Sequence, residues 1–303
     1  MRSLFLSTST NETDKYAESL RSLDFGQVDI VRYDPPEVTD SGLLSTVREY
    51  RPDFICYIGS RWGKTIGQAY LAEMSRNIAP MVHLCSDAAD QPWFDLLREY
   101  QMNACFTLQV AIDGSNRWPL ADQGMTLLTP VDPGFFQNAE RPHERRAMRC
   151  GYAGNAGGGP ASRRSILLAE LLKLRAIEFR PRTNLPYTYE GYCDFLQQCV
   201  CSVNIAYSGT ESTLQVKGRV IETALAGAVL LETRGTPTSN WFTAGEDYLE
   251  YDSAEHIVEL TRELNSDFSL SQAMAQRLRA KVLADHTPRN FWLRIFQRIG
   301  VHP

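Results

Sequence analysis

QVKGRVIETALAGAVLL, residues Gln215–Leu231, is the stretch from which the fold can be read. Lys217-Gly218-Arg219 opens a helix, Ala226-Gly227-Ala228 closes it, and the apolar run Val229-Leu230-Leu231 follows at once as a buried strand. Ala224, Ala226, Gly227 and Ala228 are small enough to let helix and sheet pack closely. Gly218 permits close backbone approach where free N–H groups and the helix dipole favour an anion. Lys217 and Arg219 bring positive charge to that turn: Arg grips a phosphate with two parallel hydrogen bonds, while Lys acts as a point charge. Glu222, one turn further on, could accept hydrogen bonds from the two hydroxyls of a ribose. The same residue types also suit an amphipathic helix with solvated basic residues and a Glu–Lys pair on its flank.

Working outward, short apolar runs alternate with helical patterns on both sides of this stretch. Upstream, strands are expected at Ser3–Leu6, Val28–Tyr33, Asp53–Ile58, Met81–Leu84, Ala104–Gln109 and Thr126–Thr129, with helices at Thr13–Leu23, Leu43–Tyr50, Thr65–Arg76 and Trp93–Tyr100. A second series runs through strands at Arg149–Ala153, Ala176–Arg180, Cys201–Ala206, Val229–Glu232 and Tyr248–Tyr251. Its helices are Ser162–Lys173, Tyr189–Gln198, Arg219–Ala226, Ala254–Glu263, Leu270–Asp285 and Arg289–Ile299. Strands alternating with helices of about ten residues predict parallel sheets with right-handed crossovers. Between the two arrays, PVDPGFFQNAERPHERRAM (130–148) is rich in proline and charge and has no sustained period, which marks a connection between domains. The expected plan is α/β: an N-terminal Rossmann-like domain over 1–130, a linker over 131–148, a second Rossmann-like domain over 149–285, and a C-terminal helix over 286–303 that packs back on the first domain. Ligands of such sheets sit beyond the carboxyl ends of the strands, so a cleft between two facing domains is the expected active site.

Composition narrows the function classes. With 303 residues, 43% of them hydrophobic, both halves can bury a core. The net charge of −5 leaves no basic footprint for nucleic acid and no polybasic tract for anionic lipid. No apolar run reaches the roughly 20 residues of a membrane span, and the stretch after Met1 is too short for a signal peptide. The seven cysteines are odd in number and form no CxxC pair, which fits buried thiols in a reducing, cytoplasmic compartment.

KGRVIETALAGAVLLE followed by WFTAGEDYLEYDSAEHIVELTREL resembles the C-terminal half of the spore-protein CgeB-like glycosyltransferases, relatives of glycosyltransferase family four. The resemblance extends to Cys150-Gly-Tyr-Ala-Gly-Asn155 with Arg163-Arg164, to Val203-Asn204-Ile205, to Asp285-His286-Thr287 before Phe291, and upstream to Val131-Asp132-Pro133 with Phe136. It covers the C-terminal half in detail and the N-terminal half in outline. It implies the GT-B fold, two facing Rossmann-like domains with a cleft between them. It also implies transfer of a sugar from a nucleotide-diphosphate sugar to a hydroxyl of a glycan, protein or small molecule (hexosyltransferase chemistry), with retention of configuration, no metal and no separate cofactor. Where relatives carry a first carboxylate near the transferred sugar, this chain has the amide Gln215.

On this reading the donor site comprises Gly154, Asn155, Arg163, Tyr189, Ser212, Thr213, Gln215, Lys217, Gly218, Arg219 and Glu222. Gly154–Gly159 follows a strand and precedes a helix, so its N–H groups could cradle a diphosphate with Arg163 or Arg164 nearby, although a plain flexible loop has the same composition. One of Tyr187, Tyr189 and Tyr192 could flank the base. Lys217 and Arg219 stabilise the leaving group, and Asp87 is the candidate for orienting or deprotonating the acceptor. Thr10, Asn11 and Lys64 line the acceptor side, with Asn11 or Thr10 equally suited to capping the next helix, while His83 reads as a core histidine. Two alternatives stand beside this. A non-catalytic GT-B-like protein would bind the nucleotide or nucleotide sugar without turnover. A nucleoside triphosphatase would use Gly59-Ser-Arg-Trp-Gly63-Lys64-Thr65, which is one residue short of the P-loop spacing.

Overall fold

A computed structural model of the chain describes all residues except 8–10, 34–37, 59–65, 86–104, 113–123, 158, 182–187, 209–210 and 212, together with the side chains of all but 11–13 among them. Its residues form two compact units, one of Met1–Pro130 with Pro288–Pro303 and one of Val131–Thr287. The stretch 131–148, read from the sequence as a connection, thus falls within the second unit.

The first unit is built on a six-stranded, all-parallel sheet. Its strands are β1 (Arg2–Ser7), β2 (Gln27–Arg32), β3 (Phe54–Ile58), β4 (Met81–Cys85), β5 (Leu108–Ile112) and β6 (Gly124–Leu127), in the order β2-β1-β3-β4-β5-β6. Helices α1 (Asn11–Arg21), α2 (Asp40–Tyr50) and α3 (Gln68–Asn77) belong to this unit. The central strands β3, β4 and β5 are buried on both faces, as parallel strands covered by helices must be. One core pairs α1 with alternate strand residues such as Phe5, Phe54 and Val82; the other pairs α2 and α3 with Leu4, Ile55 and Met81. Strand β5 begins later than the apolar run Ala104–Gln109 suggests. Cys105 and Phe106 are buried as a loop leading into the strand, and periodicity alone cannot tell a buried loop from a strand end. His83 is a core residue, its ring stacked against Phe106 at 4.7 Å and near Tyr57 at 5.4 Å.

The second unit carries a five-stranded parallel sheet of β7 (Met148–Gly154), β8 (Glu178–Pro181), β9 (Cys199–Asn204), β10 (Val229–Thr233) and β11 (Leu249–Tyr251), in the order β11-β10-β9-β7-β8. Helices α4 (Arg163–Lys173), α5 (Tyr189–Gln197), α6 (Gly218–Leu225), α7 (Ala254–Ser266) and α8 (Phe268–Asp285) accompany it. The last helix, α9 (Pro288–Ile299), belongs to the first unit. Trp292 lies between Phe5 and Phe54, with ring centroids at 5.7 and 6.2 Å, and its indole N–H donates to Ser19 Oγ at 3.0 Å. The aromatic spacing of Phe291, Trp292, Ile295 and Phe296 gives α9 one apolar face, and that face completes the first unit's core.

Residues 131–148 are pinned by polar contacts. Arg146 is buried, and its guanidinium donates to the carbonyls of Ala139 (2.8 Å), Arg141 (3.2 Å), Cys199 (2.8 Å) and Ala226 (3.2 Å). His143 is buried between Ser271 Oγ at 2.8 Å and the carbonyl of Gly227 at 2.9 Å. The second contact places its proton on Nε2. Gly227, just past the end of α6, has φ +66°, and a Cβ there would collide with the Ala139 carbonyl oxygen. Only glycine serves at that position. All seven cysteines are free and buried. Among the described residues, no helix is long and apolar enough to cross a membrane.

Burial lowers His143 to about 4, so the folded protein keeps a neutral ring where the unfolded chain takes up a proton below about 6.5. The stability this neutrality supplies is complete above 6.5 and lost as pH falls toward 4. Urea unfolding of wild type and His143→Asn should therefore differ less at pH 5 than at pH 7; a difference independent of pH would contradict the neutral ring.

Candidate functional site

The strand order of the second unit reverses between β7 and β9: from β7 the chain moves outward to β8, then returns past β7 to β9, β10 and β11. In doubly wound sheets, ligands bind beyond the carboxyl ends of the two strands flanking this reversal. Gly154 ends β7 and Asn204 ends β9. Arg219, from the first turn of α6, reaches both. Its Nη2 donates to the Ala153 carbonyl at 2.5 Å and its Nη1 to Asn204 Oδ1 at 3.3 Å, while the guanidinium carbon lies 4.6 Å from the centre of the Tyr152 ring. Gly154 has φ +145°, and a Cβ on it would lie 2.5 Å from Arg219 Nη2. The glycine is needed twice, for its backbone angle and for the space the guanidinium occupies. Nε of Arg219 is buried and has no hydrogen-bond partner among the described residues. Burial disfavours the charged guanidinium, but Tyr152, Tyr192 and Glu222 outweigh it and raise the group above its usual value, so it stays a cation.

Glu222, one turn along α6, is buried at 8% exposure. Its two carboxylate oxygens accept from the hydroxyls of Tyr189 (3.1 Å) and Tyr192 (2.6 Å). Each oxygen keeps a second lone pair, so two further donors can be accommodated. Tyr189 stacks on Tyr192 with centroids 5.9 Å apart and meets the exposed ring of Phe135 edge-on at 5.0 Å. Burial, reinforced by the Glu222 charge, pushes the Tyr189 hydroxyl far above its usual range, so it remains a donor.

Lys217 precedes α6 in extended conformation and is half-buried, and Gly218 is the first helical residue. Gln215 is buried, its N–H donating to the Ala206 carbonyl at 3.0 Å. The loop before it is closed by a bridge between Tyr207 and Leu214 and by Ser208 N–H donating to the Thr213 carbonyl at 2.9 Å. The structure does not gather Arg163 with Arg219. Arg163 is exposed, its guanidinium lies 5.0 Å from the Tyr207 ring, and its N–H donates to Glu211 at 3.0 Å. With Ser162 Oγ accepting from Ser165 N–H, the start of α4 is already capped, by a carboxylate and a hydroxyl. Asn155 contributes its carbonyl, which accepts from the Tyr152 hydroxyl at 3.0 Å. Arg164 is the half-buried neighbour: its Nη2 donates to the Tyr207 carbonyl at 3.3 Å, and its Nε is buried without a partner among the described residues. Asp87, Thr10, Lys64 and Ser212 lie outside the described residues, as does the side chain of Asn11 at the start of α1. The glycine turn 59–65 is outside them too.

Three residues of this site lie in stretches quoted for the family resemblance but were given no role there: Tyr152, Asn204 and Glu232. Glu232 is fully buried at the end of β10, register partner of Asn204 on β9. Both its oxygens accept from Asn204 Nδ2 (3.1 and 2.9 Å), one also from Thr233 N–H (2.9 Å) and the other from the Thr238 hydroxyl (3.1 Å). Burial pushes its carboxyl up to about 8, opposed by these hydrogen bonds and by the Arg219 charge. A carboxylate and an amide inside apolar strand runs were the available signal, since buried polar groups need partners.

Residues 164–297 match a family model described as glycosyl transferase-like. No curated protein matches the chain by sequence. Among solved structures it is similar to Anabaena Alr3699/HepE in complex with UDP, at 12% identity over 99% of this chain and 100% of that one, with TM-score 0.66. It is similar also to an alpha-glucosyltransferase in complex with UDP and a mismatched DNA (10% identity, 98% and 99% of the chains, TM-score 0.67). Sucrose-phosphate synthase from Thermosynechococcus elongatus is a third (10% identity, 98% of each chain, TM-score 0.62). The fold is GT-B, and the glycosyl transferase-like match spans most of the second unit and runs on into α9 of the first.

Removing the Glu222 carboxylate would leave two tyrosine hydroxyls short of an acceptor, a cost of about 1–3 kcal/mol. Glu222→Ala should thus unfold at lower urea than wild type, whereas Glu222→Gln, which keeps one acceptor oxygen, should lose less. Equal stability of all three would show that the tyrosines do not depend on this group.

Proposed function

We propose that the chain is a glycosyltransferase that binds a nucleotide-diphosphate sugar in its second unit and passes the sugar to a hydroxyl acceptor. Arg219 carries this reading: a braced guanidinium at the strand-order reversal, beside a glycine whose φ of +145° disfavours any side chain, with an Nε–H still to be satisfied. In the reaction the acceptor oxygen bonds to the anomeric carbon, the bond from that carbon to the diphosphate breaks, and the electron pair leaves with the nucleoside diphosphate while the acceptor proton is released. Negative charge grows on the leaving diphosphate, and a fixed guanidinium there stabilises the transition state without reorganising. Lys217 and the N–H groups opening α6 add to the same field. Glu222 has lone pairs left for the ribose hydroxyls, Tyr189 and Phe135 offer apolar rings beside it, and Gly154, Asn155, Thr213 and Gln215 complete the donor side. The solved structures of this fold that hold UDP, or UDP-glucose, support a donor of that class.

The motif resemblance to CgeB-like enzymes is the ground for proposing retention of configuration, with the guanidinium in place of a metal as the counter-charge. Asp87 is the proposed group for orienting the acceptor hydroxyl, and Thr10, Asn11 and Lys64 are the proposed acceptor-side residues. Gln215 favours a second reading, a protein that binds the nucleotide sugar without turning it over, because an amide cannot take a proton or carry the charge of the carboxylate found in relatives.

Calorimetry with UDP tests the donor site. Wild type should bind, and Gly154→Ala and Arg219→Lys should each bind about tenfold or more weakly, the loss expected when a charge-assisted hydrogen bond is broken. Wild type that ignores UDP and every other nucleoside diphosphate would sink the proposal; tight binding without hydrolysis or transfer from any nucleotide sugar would select the binding protein.

A further inference from the structure

Glu232 touches none of the groups expected to meet the donor, yet it settles how one of them is held. Its four hydrogen-bond contacts all come from donors: twice Asn204 Nδ2, then Thr233 N–H and the Thr238 hydroxyl. Asn204 has one amide group and two neighbours of opposite demand. A carboxylate accepts only from Nδ2, and a guanidinium donates only to Oδ1. With Nδ2 committed to Glu232, Oδ1 has to face Arg219, where it accepts from Nη1 at 3.3 Å. Rotating the amide by half a turn would set two donors against each other at Arg219 and two acceptors against each other at Glu232. Asn204 and Glu232 are register partners on adjacent parallel strands, so their side chains share one face of the sheet. That face is opposite the core that contains Val203 and Leu231. The Ala153 carbonyl holds the Nη2 end of the guanidinium and the Tyr152 ring one face, while Asn204 Oδ1 is the acceptor that holds the Nη1 end.

We propose that Glu232 is a positioning residue of the donor site: by orienting the amide of Asn204 it keeps an acceptor on Nη1 and so braces the Arg219 guanidinium in the place from which its remaining donor meets the diphosphate. The inference rests on the donor-site reading above. It also gives this fully buried carboxylate a task, since a buried ionic group is weak evidence for stability by itself.

An exchange of the two side chains tests it. Glu232→Gln removes the charge and the demand for donors, so Asn204 is free to turn, and UDP affinity should fall about tenfold. Asn204→Asp sets two carboxylates side by side and should weaken binding at least as much. Asn204→Asp combined with Glu232→Gln restores one amide and one carboxylate in swapped order. In that double variant the amide on β10 donates to the carboxylate on β9, which again offers an oxygen to Arg219. Affinity should then return to within about threefold of wild type, because one exchange restores both hydrogen-bond geometries. UDP binding by calorimetry at about pH 9, above the value near 8 to which burial pushes the Glu232 carboxyl, so that the group is ionised, is read beside urea unfolding for all four proteins. A Glu232→Gln protein that is folded and binds UDP as wild type does would overturn the positioning role while leaving the donor site intact, as would a swapped protein as weak as Asn204→Asp. Wild type that binds neither UDP nor any other nucleoside diphosphate would instead overturn the donor-site reading, and this role with it; if another nucleoside diphosphate binds, it replaces UDP as the probe. Should Glu232→Gln fail to fold, the comparison of the swapped protein with Asn204→Asp alone decides between the same outcomes.

Discussion

The contact of Arg219 with the ends of β7 and β9 is the constraint around which the second unit is arranged. A guanidinium that leaves solvent has to find acceptors for its hydrogens, and at the strand-order reversal these are one carbonyl of β7 and one amide of β9. To reach them, α6 must start close to the sheet. Gly218 opens the helix, Gly154 clears the guanidinium's place, and Gly227 lets the chain turn away after just over two turns without striking Ala139. The requirement spreads from there. Arg146 and His143 hold the segment that carries Ala139 against the far end of α6, so the stretch between the two βα arrays is anchored at a few buried points although most of its residues are exposed.

Two carboxylates, Glu222 on α6 and Glu232 on β10, differ in their surroundings. Glu222 is bound by two tyrosine hydroxyls and keeps lone pairs toward the proposed ribose, whereas Glu232 has every oxygen occupied by internal donors. The first can therefore meet a ligand; the second can only organise the groups that do. The aromatic set of Tyr189, Tyr192 and Phe135 ties the first carboxylate to the segment after β6, linking helix α5 to the start of the second unit. Arg163 shows the opposite case. A basic residue at a helix start looks like a phosphate ligand, but Glu211 already fills the position an anion would take.

What the sequence determined by itself was local: where helices and strands lie, and that both sheets are parallel. Periodicity reports the burial of each residue's own face, and for α2, α4, α5 and α6 it places the ends to within three residues or fewer. It misplaced β5, because Cys105 and Phe106 are buried for reasons of the loop they form. It also carried the chemistry of one helix start, in Lys217, Gly218, Arg219 and Glu222, because those residues are close together along the chain. Tertiary structure alone decided which partners they meet. Tyr152, Asn204 and Glu232 are distant from Arg219 in sequence and come to it only because β7, β9 and β10 are neighbours in the sheet. A hydrogen bond depends on distance and direction in space, and a linear pattern of polar and apolar residues encodes neither. Gln215–Leu231 therefore announced a positively charged turn at a helix start, and the folded sheet determined what holds its arginine in place.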